Sequence, residues 1–130
     1  MTKPMPKTAA EWQQQLTPEQ YRVLREKETE RPGSSPLIDE HGDGVFRCAG
    51  CGAELFRSDA KFESTTPGLV GWPGFMDPAS SDAIELRDDL SLGMRRTEVV
   101  CKRCGGHLGH LFDDPGTPNG KHYCINGCSL

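Results

Sequence analysis

No long hydrophobic run occurs anywhere in this chain of 130 residues. Its apolar stretches are a few residues long, where a membrane span needs about 20, so no membrane partner is expected. The basic, proline-bearing first seven residues lead into no apolar segment. A secretory signal peptide is therefore not expected, and the cytoplasm is the expected compartment. Runs of basic residues are also missing. Lys and Arg number 15 against 19 Asp and Glu, a formal net charge of −4, which argues against nucleic acid and acidic membranes as partners. The AVILMFWYC class reaches only 35% and the aromatics 7%. A core that modest calls for an additional staple. Beyond residue 33 there is no long helical periodicity, which excludes a helical bundle or coiled coil.

What the chain does have is turn formers, 15 glycines and 10 prolines, the mark of short elements joined by many turns. Residues 1–8 read as a disordered N-terminus and residues 9–130 as a single domain. Helical material is expected over residues 11–30, with Thr17-Pro18-Glu19-Gln20 as a start: Thr17 caps, Pro18 suits the first turn, and Gln20 sits three after the cap. Tyr21 and Leu24 then face the body, with Arg22, Arg25 and Glu26 toward solvent, and Arg31-Pro32-Gly33-Ser34 ends the segment. Short strands are expected at 45–47, 97–101, 108–112 and 121–126, each bounded by Gly, Pro, Asn or Asp. Residues 64–82 read as a structured loop, 85–89 as a charged connector and 115–120 as a turn. The fold class is mainly β, antiparallel, with an N-terminal helical arm.

Two segments echo each other. Cys48-Ala49-Gly50-Cys51-Gly52-Ala53-Glu54-Leu55 and Cys101-Lys102-Arg103-Cys104-Gly105-Gly106-His107-Leu108 both read C-x-x-C-G-x-x-L. Two C-x-x-C turns supply the four sulfurs of a tetrahedral Zn²⁺ site, and Gly52 and Gly105 permit the positive φ that such a turn often needs. Four thiolates leave no open coordination position, so one Zn²⁺ on Cys48, Cys51, Cys101 and Cys104 would be structural and would provide the missing staple. The rivals are a redox dithiol, disfavoured by the duplicated motif, and a nucleic-acid-binding zinc ribbon, disfavoured by the acidic charge.

Two cysteines remain. Alternation along the last strand puts His122, Cys124 and Asn126 on one face and Tyr123 and Ile125 on the other. A thiol flanked by polar groups is a candidate nucleophile, though an ordinary buried cysteine fits as well. His107 and His110 lie three apart; with the metal site already complete they are free for acid–base work, or are simply hydrogen-bonded histidines. The Gly71-Trp72-Pro73-Gly74-Phe75 loop suits a core plug or the wall of a small apolar pocket.

These residues together resemble the B-type methionine sulfoxide reductases, the peptide-methionine (R)-S-oxide reductases, in their zinc-containing form. The resemblance rests on Tyr21-Arg22-Val23, Arg25-Glu26-Lys27, both C-x-x-C pairs, Gly71-Trp72-Pro73 and Ser91-Leu92-Gly93. It continues through Arg96-Thr97-Glu98-Val99, His107 to Phe112 and Tyr123-Cys124-Ile125-Asn126, in family order from about residue 18 onward. It implies two small antiparallel sheets in a β-barrel-like arrangement, with the zinc site away from the active site. It implies Cys124 as the catalytic cysteine, with His107, His110 and Asn126 as active-site polar residues. Trp72, with Phe75, Asp114 and His122 near it, would bind substrate. The reaction implied is reduction of peptide-bound methionine (R)-sulfoxide, in protein repair and oxidative-stress defence. Thioredoxin or another thiol would return the sulfenic acid of Cys124 to a thiol. A monomer is expected.

The chain departs from the family pattern in three places. The recycling cysteine many members carry before Gly-Trp-Pro is Val70 here, which leaves Cys128 as a possible resolving thiol. Four residues of straight strand span roughly 13 Å, too far for a disulfide, so the tail would have to bend. His122 stands where the family usually has Arg and would favour the thiolate only when protonated. Gly127 replaces the usual Ser.

Overall fold

The structure, a computed structural model, describes residues 8–31, 37, 44–62, 72–90, 96–113, 117 and 119–130. Pro18 shapes the N-terminal arm. A residue before proline is pushed out of the helical region, and the helical material divides there into α1 (Ala9–Gln15) and α2 (Pro18–Glu26). The α2 start has the expected form: the Thr17 side chain accepts from Gln20 N–H and the Gln20 side chain accepts from Thr17 N–H. Thr8, assigned to the disordered terminus from sequence, instead caps α1 by accepting from Glu11 N–H. α2 stops earlier than expected, at Lys27, whose φ of 60° is left-handed. Nor does Arg25 face solvent as expected. Its guanidinium lies 4.5 Å from the Trp12 ring and donates to the Cys104 carbonyl at 2.9 Å, which ties both helices to the second cysteine turn.

Eight strands follow among the described residues: β1 (Val45–Arg47), β2 (Glu54–Arg57), β3 (Lys61–Phe62), β4 (Gly74–Phe75), β5 (Ile84–Asp89), β6 (Arg96–Cys101), β7 (His107–Asp113) and β8 (Lys121–Ile125). β1 and β2 form a hairpin of their own, and the rest make a six-stranded sheet of order β3-β4-β8-β7-β6-β5, antiparallel throughout. The two antiparallel sheets match the expectation, but the larger one is open, with β3 and β5 as its outer strands, so it is not a closed barrel. The charged connector expected at 85–89 is β5. Its Ile84 is buried while Glu85, Leu86, Arg87 and Asp88 are exposed, as an edge strand paired only to β6 allows.

The core fills the space between the two sheets. Phe56 stacks on Phe75 at 4.4 Å and Phe46 meets Phe75 edge-on at 5.1 Å, with Leu55, Val99, Leu108 and Ile125 fully buried around them. The chain end is held as well: the turn Gly127–Ser129 follows β8, and Ala49 N–H donates to the Ser129 carbonyl at 2.8 Å. No helix among the described residues is long and apolar enough to cross a membrane.

Candidate active site and metal centre

The two C-x-x-C segments are the tips of two hairpins, β1–β2 and β6–β7. Each closes the same way. Gly52 N–H donates to the Cys48 carbonyl and Gly105 N–H to the Cys101 carbonyl; Cys48 N–H then donates to Ala53 and Cys101 N–H to Gly106. Gly52 and Gly105 have φ of 80° and 72°, values that a side chain would strain. All four sulfurs lie within 4.8 Å of one another and are buried. Two of the separations are 3.7 Å (Cys48 to Cys104) and 3.6 Å (Cys51 to Cys101). A tetrahedron of sulfurs about 2.3 Å from a central zinc has edges of about 3.8 Å, so the four thiols fit one tetrahedral ion. Their mutual hydrogen bonds pull them apart as acids: bonds from the other three lower the Cys51 thiol, and bonds to the other three raise Cys48.

Cys124 lies mid-strand in β8, opposite His110 of β7 on one side and Gly74 of β4 on the other. It opens into a cleft of about 130 Å³. Trp72 and Phe112 supply apolar walls, His110, Asn126, Arg96 and Thr29 polar ones, and Gly109 lies beside Cys124. Burial, with the Glu30 carboxylate adding to it, pushes the Cys124 thiol up to about 12, so at neutral pH it rests protonated.

A regular strand would put two residues three apart on opposite faces. His107 and His110 nonetheless share a face, because a β-bulge inserts one extra residue of β7 opposite Val99 and Val100. Their rings are 5.3 Å apart, and each has its own carboxylate. His107 Nδ1 donates to Glu98 at 2.8 Å, and His110 Nε2 donates to Asp89 at 2.7 Å. The two differ in surroundings. His107 and Glu98 are both buried, Lys27 caps Glu98 from α2 at 3.2 Å, and His107 Nε2 has no partner among the described residues. Burial holds the His107 ring below its ordinary value against the opposing pull of Glu98. His110 borders the cleft instead, and its Asp89 is also met by Arg96 at 3.4 Å.

One residue gathers the rest. Glu30 N–H donates to Asn126 Oδ1 (3.0 Å), and the Glu30 carbonyl accepts from the Trp72 indole N–H (3.0 Å). Its carboxylate accepts from Gly127 N–H (2.7 Å) and Cys128 N–H (3.0 Å). Asn126 Nδ2 donates to the Leu108 carbonyl at 3.0 Å, which fixes the amide's orientation and leaves its second N–H for the cleft.

The SelR domain family matches residues 16–130. The chain belongs to that family. It is similar to the peptide methionine sulfoxide reductase MsrB of Methanosarcina barkeri, 56% identical over 128 residues, 98% of this chain and 87% of the relative. The protein of the same name from Methanosarcina mazei is 54% identical over 124 residues, covering 95% and 86%. That of Thiobacillus denitrificans is 50% identical over 125 residues, covering 96% and 92%.

In this SelR domain Cys124, His110, Asn126 and Trp72 come together at one cleft. His107 stands behind His110, outside the cleft lining. Phe75 and His122 do not line it either. Phe75 is fully buried in the aromatic core, and His122 is fully buried with its ring edge-on to Phe62 at 4.7 Å. Asp114 and Val70 lie outside the described residues. Cys128 sits in the turn after β8, its thiol pushed up to about 12 by burial and by Glu30. Sequence reasoning missed Glu30, Asp89, Arg96, Glu98, Thr29 and Phe112. Glu98 offered a signal, an acid directly before the apolar run Val99-Val100-Cys101 of β6. Phe112 follows from His110 by strand alternation. Glu30 ends the segment expected to be helical, lies four residues past the observed end of α2, and gave none.

Proposed function

We propose that this SelR-domain protein reduces the R epimer of peptide-bound methionine sulfoxide to methionine, with Cys124 as the nucleophile. What supports this most is a half-buried thiol on the wall of a cleft of about 130 Å³ that also offers an indole face, an imidazole and a free amide N–H. That volume is below the roughly 300–1,000 Å³ of small-molecule sites and suits the tip of one side chain. The sulfoxide's methyl group rests on Trp72, its oxygen accepts from Asn126 Nδ2 with His110 beside it, and its sulfur faces Cys124 Sγ. Three fixed contacts around a chiral sulfur select one epimer.

The thiol sulfur attacks the sulfoxide sulfur, and its proton travels to the sulfoxide oxygen. In balance, sulfoxide and thiol become methionine and a Cys124 sulfenic acid: two electrons leave Cys124, and one oxygen ends on it. A second thiol condenses with the sulfenic acid, releasing water and leaving a disulfide, which thioredoxin or another thiol reduces. Cys128 is the inner candidate for that second thiol. The Gly127–Ser129 turn bends the chain directly after β8, advancing about 2 Å per residue rather than about 3.3 Å.

One Zn²⁺ on Cys48, Cys51, Cys101 and Cys104 holds the hairpin tips together when bound, and the residues 9–130 act as one monomeric domain in the cytoplasm. The partners are methionine-sulfoxide-bearing proteins or peptides. The test is turnover of the separated R and S epimers of N-acetyl methionine sulfoxide with dithiothreitol, beside Cys124→Ser. Reduction of R alone, lost in the variant, is the expected result; no turnover of either epimer by folded, zinc-loaded protein sinks the reading. With thioredoxin as donor, Cys128→Ser is expected to stall after one turnover, and normal cycling would remove Cys128 from the route.

A further inference from the structure

We infer that Asp89 is a positioning residue for His110, selecting which ring nitrogen faces Cys124 and the substrate. This deepens the proposed reductase reading and rests on it. His110 borders the cleft, but its Nε2 is already committed to Asp89 at 2.7 Å. The nitrogen left for the cleft is therefore Nδ1, and in the neutral ring the Asp89 bond keeps the proton on Nε2. Nδ1 is then a lone-pair acceptor. It can take the proton of the Cys124 thiol as the sulfur–sulfur bond forms, and deliver that proton to the sulfoxide oxygen as the sulfur–oxygen bond weakens. No proton is gained or lost overall, and the ring returns to the tautomer Asp89 prefers. In between, the ring carries a positive charge that the Asp89 carboxylate faces directly.

The pairing is specific to Asp89. Glu98 is the cross-strand partner of His110 in the sheet, but its carboxylate is taken by His107 and Lys27. Asp88 is exposed and, one residue earlier on β5, points to the other face. Arg96 meets Asp89 at 3.4 Å from the first position of β6 and steadies the carboxylate. The cleft thus has its own imidazole–carboxylate pair, separate from the buried one behind it.

Two measurements test this. The first is the ¹⁵N spectrum of the His110 ring in the zinc-loaded, reduced wild-type protein, which needs no turnover. A neutral ring protonated at Nε2 is expected, and one protonated at Nδ1 overturns the inference. The second compares Asp89→Asn, Asp89→Glu and Asp88→Asn with the R epimer and dithiothreitol. Asp89→Asn is expected to lose about tenfold or more in kcat, the scale of one mispositioned general acid–base group, with KM within about twofold. Asp89→Glu, which keeps the carboxylate, is expected to recover part of that loss, and Asp88→Asn to match the wild type. Equal kcat in Asp89→Asn, or an equal loss in Asp88→Asn, overturns it. Absence of turnover in the wild type would instead defeat the reductase reading and leave the ring spectrum to decide the pairing.

Discussion

Replacing Glu30 should destabilise this small domain through the two backbone donors it leaves unpaired. Glu30 is 5% exposed and its carboxylate accepts two backbone N–H bonds, from Gly127 at 2.7 Å and Cys128 at 3.0 Å. Hydrogen bonds to an ionised acceptor are worth about 1.5–3 kcal/mol each, and Glu30→Ala leaves both donors unpaired. Against that loss stands the recovered cost of burying a charge, on the order of a few kcal/mol. The bonds outweigh it, because the bare N–H groups stay in place, and a net loss of about 2–4 kcal/mol is expected. Glu30→Gln keeps one acceptor but turns an amide N–H₂ toward the other donor, so about half that loss is expected. The Trp72 and Asn126 contacts go to the backbone of residue 30 and should persist in the Gln variant, seen as unchanged Trp72 emission. Urea unfolding of the zinc-loaded proteins at pH 7 measures the losses. An Ala variant less than about 1 kcal/mol below wild type, or Gln and Ala variants equally destabilised, would refute the reasoning, since the acceptor count would then not govern the cost.

Chelation of the metal, or Cys101→Ser, should abolish cooperative thermal unfolding, because the four thiols join the tips of hairpins that belong to separate sheets; an unchanged melt after confirmed zinc loss contradicts this. Cys124 and Cys128, both pushed up to about 12 from an ordinary value near 9, should react slowly with iodoacetamide at pH 7. Above about pH 9 the unfolded thiols ionise while the folded ones do not, so their contribution is complete below that pH and lost toward pH 12; a pH–stability curve should flatten there in Cys124→Ser. Gly109→Ala should disrupt both stability and turnover, since its Cβ would run into the Cys124 carbonyl on β8; a variant with wild-type melting and kcat would show that the strands can part without cost.

Local chemistry was legible in the sequence, and pairing at long range was not. The Thr17–Gln20 capping box, the bounds of β1 and the two metal turns with their glycines depend on residues within a few positions of one another, and they appear as read. β5 reads as a connector because Glu85, Arg87, Asp88 and Asp89 are charged, and only the β6 partner makes it a strand. Its consequence was lost with it: Asp89 meets His110 only through the β5–β6–β7 register. The Glu30 bonds to the chain end span nearly a hundred residues, and no periodicity encodes them. Phe75 packs against Phe56 and His122 against Phe62, contacts between strands that the residues around them do not encode.

The bulge in β7 connects the metal centre to the cleft. His107 and His110 face the same way only because one extra residue of β7 stands opposite Val99 and Val100. A shift of one residue in that pairing would turn Arg96 and Glu98 of β6 away from the face that His110 shares with Cys124. The β6–β7 connection that sets the register is the Cys101–Cys104 turn itself, closed by bonds from Cys101 N–H and Gly105 N–H. An ion held by this turn would therefore act on the cleft without touching it, by fixing the strand offset. Metal loss in a protein kept folded by other means should thus lower kcat while leaving Cys124 chemically intact. Adding the ion back should restore the rate without any new thiol chemistry.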